Sequence, residues 1–210
     1  MISVLVPSRA RAKMLAESLK SLGIGDYEVL TWVDEDDPEL DQYMDMHRAG
    51  DLEVMVGPRV GYRRFHEMIN ELAAHAVGDY LLLWNDDALM LSPDWVKAVE
   101  NHDHPDIAVL SFSPDLRNNF FPVITRRMYE VMGHFSLSAH CDSWVQDIAN
   151  DLGRHYYVPG VEVKHLREMV WDQTKAETQA TYAETSPLHY SPEMVALMQA
   201  DTAKLKQEIE

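Results

Sequence analysis

Apolar positions along this chain fall into two alternating rhythms, one of short runs and one of helical spacing. Ile2 to Val6 is a short apolar run closed by Pro7, the pattern of a buried strand. Ser8 stands where a helix cap belongs. Ala12, Leu15, Ala16, Leu19 and Leu22 then recur at helical spacing until Gly23 and Gly25 interrupt them. Tyr27 to Val33 reads as a second strand ending on Asp34. Pro38, after four consecutive acids, sits at a helix start, and Asp51 to Val56 reads as a third, shorter strand. Phe65, Met68, Ile69, Leu72, Ala73 and Ala76 give the clearest amphipathic helix. Gly78 and Asp79 end it, and Tyr80 to Trp84 is the fourth strand. A helix over Pro93 to Glu100 and a fifth strand over Ile107 to Phe112 follow.

The remainder is less regular. Phe120 to Thr125 predicts a strand, Met128 to Met132 a short helix and Ser143 to Leu152 a longer one. Tyr156 to Val158 and Val161 to Lys164 are strand-like and flank Pro159-Gly160, a turn signal. From about Asp172 the chain turns polar, and Pro187 and Pro192 frame a break. Met194, Leu197, Met198, Leu205 and Ile209 then line one face of a terminal helix, which either packs back on the domain or joins copies of the chain. Strands alternating with helices predict an α/β fold: a Rossmann-like, mostly parallel sheet with flanking helices and a C-terminal helical tail. The expected division is a domain over 1–170, with halves 1–115 and 116–170, and a tail over 171–210.

A length of 210 residues suits one domain with a substantial core. Acids number 35 against 18 Lys plus Arg, a formal charge of −17, so polymeric nucleic acid is not an expected partner. Cys141 is the only cysteine, which excludes an intrachain disulfide, fits a reducing cytoplasm and reads as a small buried side chain. The N-terminus has no basic region and reads as a first strand rather than a signal peptide. No apolar run approaches the roughly 20 residues of a membrane helix, so the expected setting is cytoplasmic.

Three polar groups fall at the ends of early strands: Pro7-Ser8-Arg9, Asp34, and Asn85-Asp86-Asp87. In a parallel sheet those ends share one edge, where open α/β sheets bind ligands. Adjacent carboxylates there suit Mg²⁺ or Mn²⁺ carrying a phosphate-bearing substrate. Taken in order, Val4-Leu5-Val6-Pro7-Ser8-Arg9, Trp32-Val33-Asp34, Asn70 on a helix, and Gly78 through Asp87 resemble the GT-A glycosyltransferases, closest to the broad family-2-like group. The resemblance runs from Ile2 to about Arg167.

The resemblance implies a nucleotide-sugar-binding half over 1–115 and an acceptor half over 116–170. It implies a donor such as a UDP-sugar or another nucleoside-diphosphate sugar, a hydroxyl acceptor and a divalent metal. Pro7, Ser8 and Arg9 would border the nucleotide, Asp34 would accept a hydrogen bond from the base, Asp86 would lie near the ribose and Asp87 would bind the metal. The family often has Asp-x-Asp where this chain has Asn85-Asp86-Asp87, and Asn85 is a poorer metal ligand than a carboxylate. His165, after the strand-like Val161 to Lys164, is the second expected metal ligand. The remaining histidines considered, His66, His75, His102, His104 and His189, read as surface or helix residues. Asp142 is the expected general base of an inverting transfer, or else a helix N-cap, with Asp147 a lesser alternative.

Arg63 and Arg64, beside the strongest helix, either face the diphosphate or lie on the surface. Trp84, Trp95, Trp144 and Trp171 read as core, with Trp144 also placed to floor an acceptor site. Two other readings stay open. A nucleotidyltransferase uses the same kind of sheet and metal carboxylates, although Ser8 to Lys13 has no glycine-rich phosphate loop. A non-catalytic nucleotide-sugar or metal-binding module fits the absence of acids at Asn85 and Cys141.

Overall fold

The computed structural model describes residues 1–116, 119–166 and 173–210. The first half alternates strand and helix: β1 (Ile2–Leu5), α1 (Ala12–Ser21), β2 (Tyr27–Asp34), α2 (Leu40–Ala49), β3 (Glu53–Gly57), α3 (Phe65–His75) and β4 (Tyr80–Leu83). A short 3₁₀ turn over Tyr62–Arg64 precedes α3. Then come β5 (Ala88–Met90), α4 (Trp95–Glu100), β6 (Val109–Ser111), β7 (Val123–Thr125), α5 (Arg126–Met132), α6 (Cys141–Leu152), β8 (His155–Tyr157) and β9 (Val163–His165). Two helices, α7 (Gln173–His189) and α8 (Pro192–Ile209), end the chain.

Seven strands form one sheet in the order β3-β2-β1-β4-β7-β6-β8. β1 pairs in parallel with both β2 and β4, with Leu5 beside Leu30 and Leu83. The residues that follow these strands therefore emerge along one edge. β7 runs antiparallel to β4 and to β6, so the sheet is mostly, not wholly, parallel. Gly78 permits the close start of β4, since a Cβ there would lie 2.7 Å from the Ser3 amide nitrogen. β5 and β9 form a separate antiparallel pair. The strand expected over Val161 to Lys164 is β9, whereas β5 is a three-residue strand with no period of its own to mark it.

The sheet is buried on both faces, which explains the uninterrupted apolar runs of its central strands. On one face Ile2, Val4, Leu82, Trp84 and Trp95 pack with α1 and α4. On the other Leu5, Leu81 and Leu83 pack against α3, α5, α6 and α8. Trp84, Trp95 and Trp144 are fully buried, and Trp171 lies outside the described residues. So does the expected boundary at residue 170. Among the described residues, no helix is long and apolar enough to cross a membrane.

The terminal helix packs back on the domain. Met198 and Leu205 of α8 are buried in the core shared with α5 and α6. Between them Asp201, 1% exposed, meets His134 at 3.2 Å and Lys204 at 2.9 Å. Burial works against its charge, but His134 and Lys204 outweigh it and hold the carboxyl below its ordinary 3.8. A depressed folded pKa gives stability that is complete above the unfolded value and is lost as pH falls through the folded one. Asp201→Asn should therefore lower unfolding free energy by about 2 kcal/mol near neutrality, with the deficit shrinking below pH ~4. Urea unfolding across that range measures it, and a deficit independent of pH would remove the ion pair as the anchor of α8.

Candidate active site

Packing between loops, not helix capping, shapes the loop after β1. Ala10 adopts a left-handed backbone at φ 53°. Its N–H donates to Asp37 at 2.8 Å, that of Arg11 to the Tyr43 hydroxyl at 3.0 Å, and that of Ala12 to Glu39 at 2.7 Å. Three side chains following β2 thus satisfy the amides leading into α1. Ser8 does not cap that helix. Its hydroxyl donates to Asp86 at 2.8 Å and lies 2.9 Å from the Tyr43 hydroxyl.

Each strand-end acid has its own environment. Asp34 accepts from Arg9 at 2.9 Å and from the Trp32 indole at 3.4 Å. Burial still raises its pKa, with Arg9 and Trp32 pulling the other way. Arg9 also pairs with Asp36 at 2.6 Å. Asp86 accepts from Ser8 and, at 3.1 Å, from Arg11. Burial nevertheless pushes its pKa up to about 6. For Asp87 burial also pushes upward, but the hydrogen bond with His165 and the charges of His165 and Arg11 prevail, and the carboxyl lies below its ordinary range.

The pairing of β5 with β9 brings His165 to Asp87. Their register sets Ala88 opposite His165, and the Leu166 N–H donates to the Asp87 carbonyl at 2.8 Å. His165 Nε2 then lies 3.0 Å from Asp87 Oδ1 and 3.3 Å from Asn85 Nδ2. One ring nitrogen thus faces an acceptor and a donor together, and neither neutral tautomer serves both. The buried Nδ1 has no partner. A cation drawing on the imidazole lone pair and the carboxylate removes this conflict. The donor set fits a divalent ion completed by water and phosphate. Among the described residues no group of three or more His, Cys, Asp or Glu converges to enclose one.

Asp142 lies in the first turn of α6, behind a pinned loop. Asn70 on α3 donates to the Ser136 carbonyl at 2.7 Å and accepts the Phe135 and Ser136 amides at 2.8 and 3.1 Å. Ser138 accepts from the His140 amide and meets His189 at 2.7 Å. His189, read from the sequence as a surface or helix residue, is 2% exposed. The N-cap of α6 is His140, so Asp142 is not the cap. Burial raises the Asp142 pKa, opposed by the Ser143 amide.

These groups share one cleft of about 1060 Å³. Pro7, Ser8, Arg9, Asp34, Asn85, Asp86, Asp87, Asp142 and His165 all line it. Arg63 and Arg64 do not; they are exposed and pair with Glu184 and Glu67. The guanidinium groups in the cleft come instead from Arg9, Arg11 and Arg59. Arg59 follows the end of β3, so the strand-end argument reaches it once that weak strand is trusted. Tyr62 and Phe65 add aromatic lining, and α7 contributes Gln179 through Tyr182 as a further wall. Trp144 is fully buried and cannot floor an acceptor site, and Asp147 lines a different cavity.

The family model described as Glycosyl transferase family 2 matches residues 3–153. The chain belongs to glycosyl transferase family 2. None of the curated proteins matches this glycosyltransferase. Solved structures do. The mannosyltransferase PcManGT from Pyrobaculum calidifontis, in complex with GDP-Man and Mn²⁺, superposes with a TM-score of 0.62 at 16% identity, covering 100% of this chain and 88% of that one. S. aureus TarS 1–349 gives 0.59 at 15%, covering 96% and 79%. A cytidylyltransferase from Leptospira borgpetersenii gives 0.53 at 13%, covering 76% of each chain. At these identities the likeness is one of fold, and the fold of this glycosyltransferase is of the GT-A type.

Asn70 holds the loop before Asp142 through three hydrogen bonds to backbone. Asn70→Ala should lower stability by about 2 kcal/mol, because buried backbone groups lose their partners. Urea denaturation reads this, and a change within about 0.5 kcal/mol would show the loop held by other contacts.

Proposed function

We propose that this glycosyltransferase moves a sugar from a nucleoside-diphosphate sugar to a hydroxyl acceptor, with inversion, using Mn²⁺ or Mg²⁺. The observation that carries the reading is the single cleft joining Asp34, Asp87, His165 and Asp142, which come from distant parts of the chain. Neighbours of like fold were solved with GDP-Man and Mn²⁺ and with UDP-GlcNAc, which supports a nucleotide-sugar donor without choosing its base.

In this reading Asp34 accepts a hydrogen bond from the base, with Pro7, Ser8 and Arg9 bordering the nucleotide. Asp86, anchored by Ser8 and Arg11, lies near the ribose. Arg11 and Arg59 offer positive charge to the diphosphate inside an otherwise acidic protein. Asp87 and His165 hold the metal, with Asn85 beside them. When bound, a divalent ion supplies Lewis-acid stabilisation to the departing diphosphate. Asp142 takes the proton of the acceptor hydroxyl as its oxygen bonds to the anomeric carbon. The bond from that carbon to the phosphate oxygen breaks, and its electron pair leaves with the nucleoside diphosphate. A base with a raised pKa suits this task, because it binds the proton more strongly as the hydroxyl attacks.

A thermal-shift screen of nucleotide sugars, with and without Mn²⁺, tests the donor reading. Asp87→Ala should abolish the Mn²⁺-dependent part of donor stabilisation while leaving the ligand-free melting temperature near that of the parent. Undiminished Mn²⁺-dependent binding in that variant would withdraw the metal assignment.

Asp142→Asn should spare donor affinity and reduce kcat for transfer by about a hundredfold or more. In the unaltered enzyme, transfer requires the Asp142 carboxylate, so kcat should fall as pH drops through its raised pKa, on a limb above the ordinary 3.8. Transfer near the parent rate in Asp142→Asn would exclude this residue as the base.

A further inference from the structure

Both groups that hold Asp86 are themselves held by one phenol. Asp86 accepts from the Ser8 hydroxyl at Oδ2 and from the Arg11 guanidinium at Oδ1. The hydroxyl of Tyr43, on α2, lies 2.9 Å from that same Ser8 hydroxyl and accepts the Arg11 amide at 3.0 Å. Tyr43 is fully buried in the core and is not part of the cleft wall. It reaches the site only through Ser8 and Arg11, one by side chain and the other by backbone.

Proton counting fixes the direction of this chain of bonds. An amide N–H only donates, so the Tyr43 oxygen is the acceptor toward Arg11. Ser8 has one hydroxyl proton, and the Asp86 carboxylate takes it. The phenol therefore donates to Ser8. Burial raises the Tyr43 pKa, so the proton needed for that bond stays in place at neutral pH. In a low-dielectric interior each bond polarises the next. On Asp86 the two incoming bonds take one lone pair of each oxygen, and a carboxylate offers about four. One acceptor site on each oxygen is left at the cleft, which Asp86 lines. Two neighbouring hydroxyls, as a ribose carries, match that pair.

We propose that Tyr43 is a positioning residue for the nucleotide ribose: without touching the nucleotide, it holds Ser8 and Arg11 so that Asp86 presents its remaining lone pairs to the two ribose hydroxyls. The inference rests on the reading that Asp86 lies near the ribose.

Calorimetry of the full chain with Mn²⁺ compares UDP and GDP with their 2′-deoxy forms. The parent should bind its preferred ribonucleotide about tenfold more tightly than the deoxy form, the loss of one bond to a carboxylate. Tyr43→Phe keeps the ring that fills the core and removes the hydroxyl. It should weaken the ribonucleotide about tenfold and leave the deoxy form nearly unchanged, so that the preference collapses. If Tyr43→Phe fails to fold, Ser8→Ala breaks the chain at its next link and should collapse the preference in the same way. A full ribose preference in the folded Tyr43→Phe variant would overturn the proposal, as would an equal loss for both forms, which is what a tyrosine of structural use alone produces. So would a full preference in Ser8→Ala where that variant carries the test. Nucleotide binding by the parent without any ribose preference withdraws the placing of Asp86 and this inference with it. No binding of UDP or GDP by the parent withdraws the donor reading as a whole.

Discussion

The parallel pairing of β1 with both β2 and β4 is the constraint on which this site depends. Parallel register fixes where each strand ends, so it also fixes which residues share the edge. With Leu5 beside Leu30 and Leu83, the loop after β1 lies between the acid that ends β2 and the acids that follow β4. A slip of one residue in either ladder would turn the apolar side chains of that strand to the opposite face of the sheet. Both faces are packed, so a slipped strand would have to refit its side chains against the helices on each. The core thus holds the acids at one edge although no acid takes part in it.

Concentrating carboxylates at one edge is costly unless each finds a partner. The solutions here differ from acid to acid. Asp34 has Arg9, Asp86 has Arg11 and Ser8, and Asp87 has His165. Asp86 and Asp87 are neighbours in sequence, yet their pKa values move in opposite directions. The identity of the pair does not decide this. Asp86 points back into the β1 loop, where burial dominates, and Asp87 points along β5 toward an imidazole. That difference leaves one carboxylate anchoring the loop and the other facing the imidazole of β9.

Much of this arrangement was legible in the chain itself. Apolar runs that stop on Asp34 and on Asn85-Asp86-Asp87 are strand ends under any parallel topology, and the cleft contains all of them. His165 was legible because it closes a strand-like run. The sequence could not reveal β5, three residues whose only pairing is with β9, about 75 residues away. Nor did it point to Arg59, which follows the short, weakly buried β3. Arg63 and Arg64 drew attention by standing beside a strong helix, but surface glutamates meet both. Ser8 has the right chemistry for a cap and a different use, because α1 begins only at Ala12 and the Ser8 hydroxyl turns to Asp86. Local rules failed where a contact between loops replaced a contact within one.

The C-terminal segment lies beyond the matched family domain, and its two helices are held by different physics. α8 carries an apolar stripe, and burial of Met198 and Leu205 explains its docking. α7 has no such stripe, which is why periodicity did not find it. It is tied by directional contacts: Thr185 to His140 at 3.1 Å, His189 to Ser138 at 2.7 Å, and the Tyr182 ring edge-on to His140 at 4.8 Å. Each contact lands on the loop leading to Asp142 that Asn70 also pins. Helix and loop therefore brace one another, and burial drives the His140 pKa down to about 4, so its ring is neutral at physiological pH. A neutral imidazole accepts or donates within this network without placing a second charge beside Asp142. Directional contacts specify position without supplying much burial. A helix held in this way can wall a cleft at a defined position.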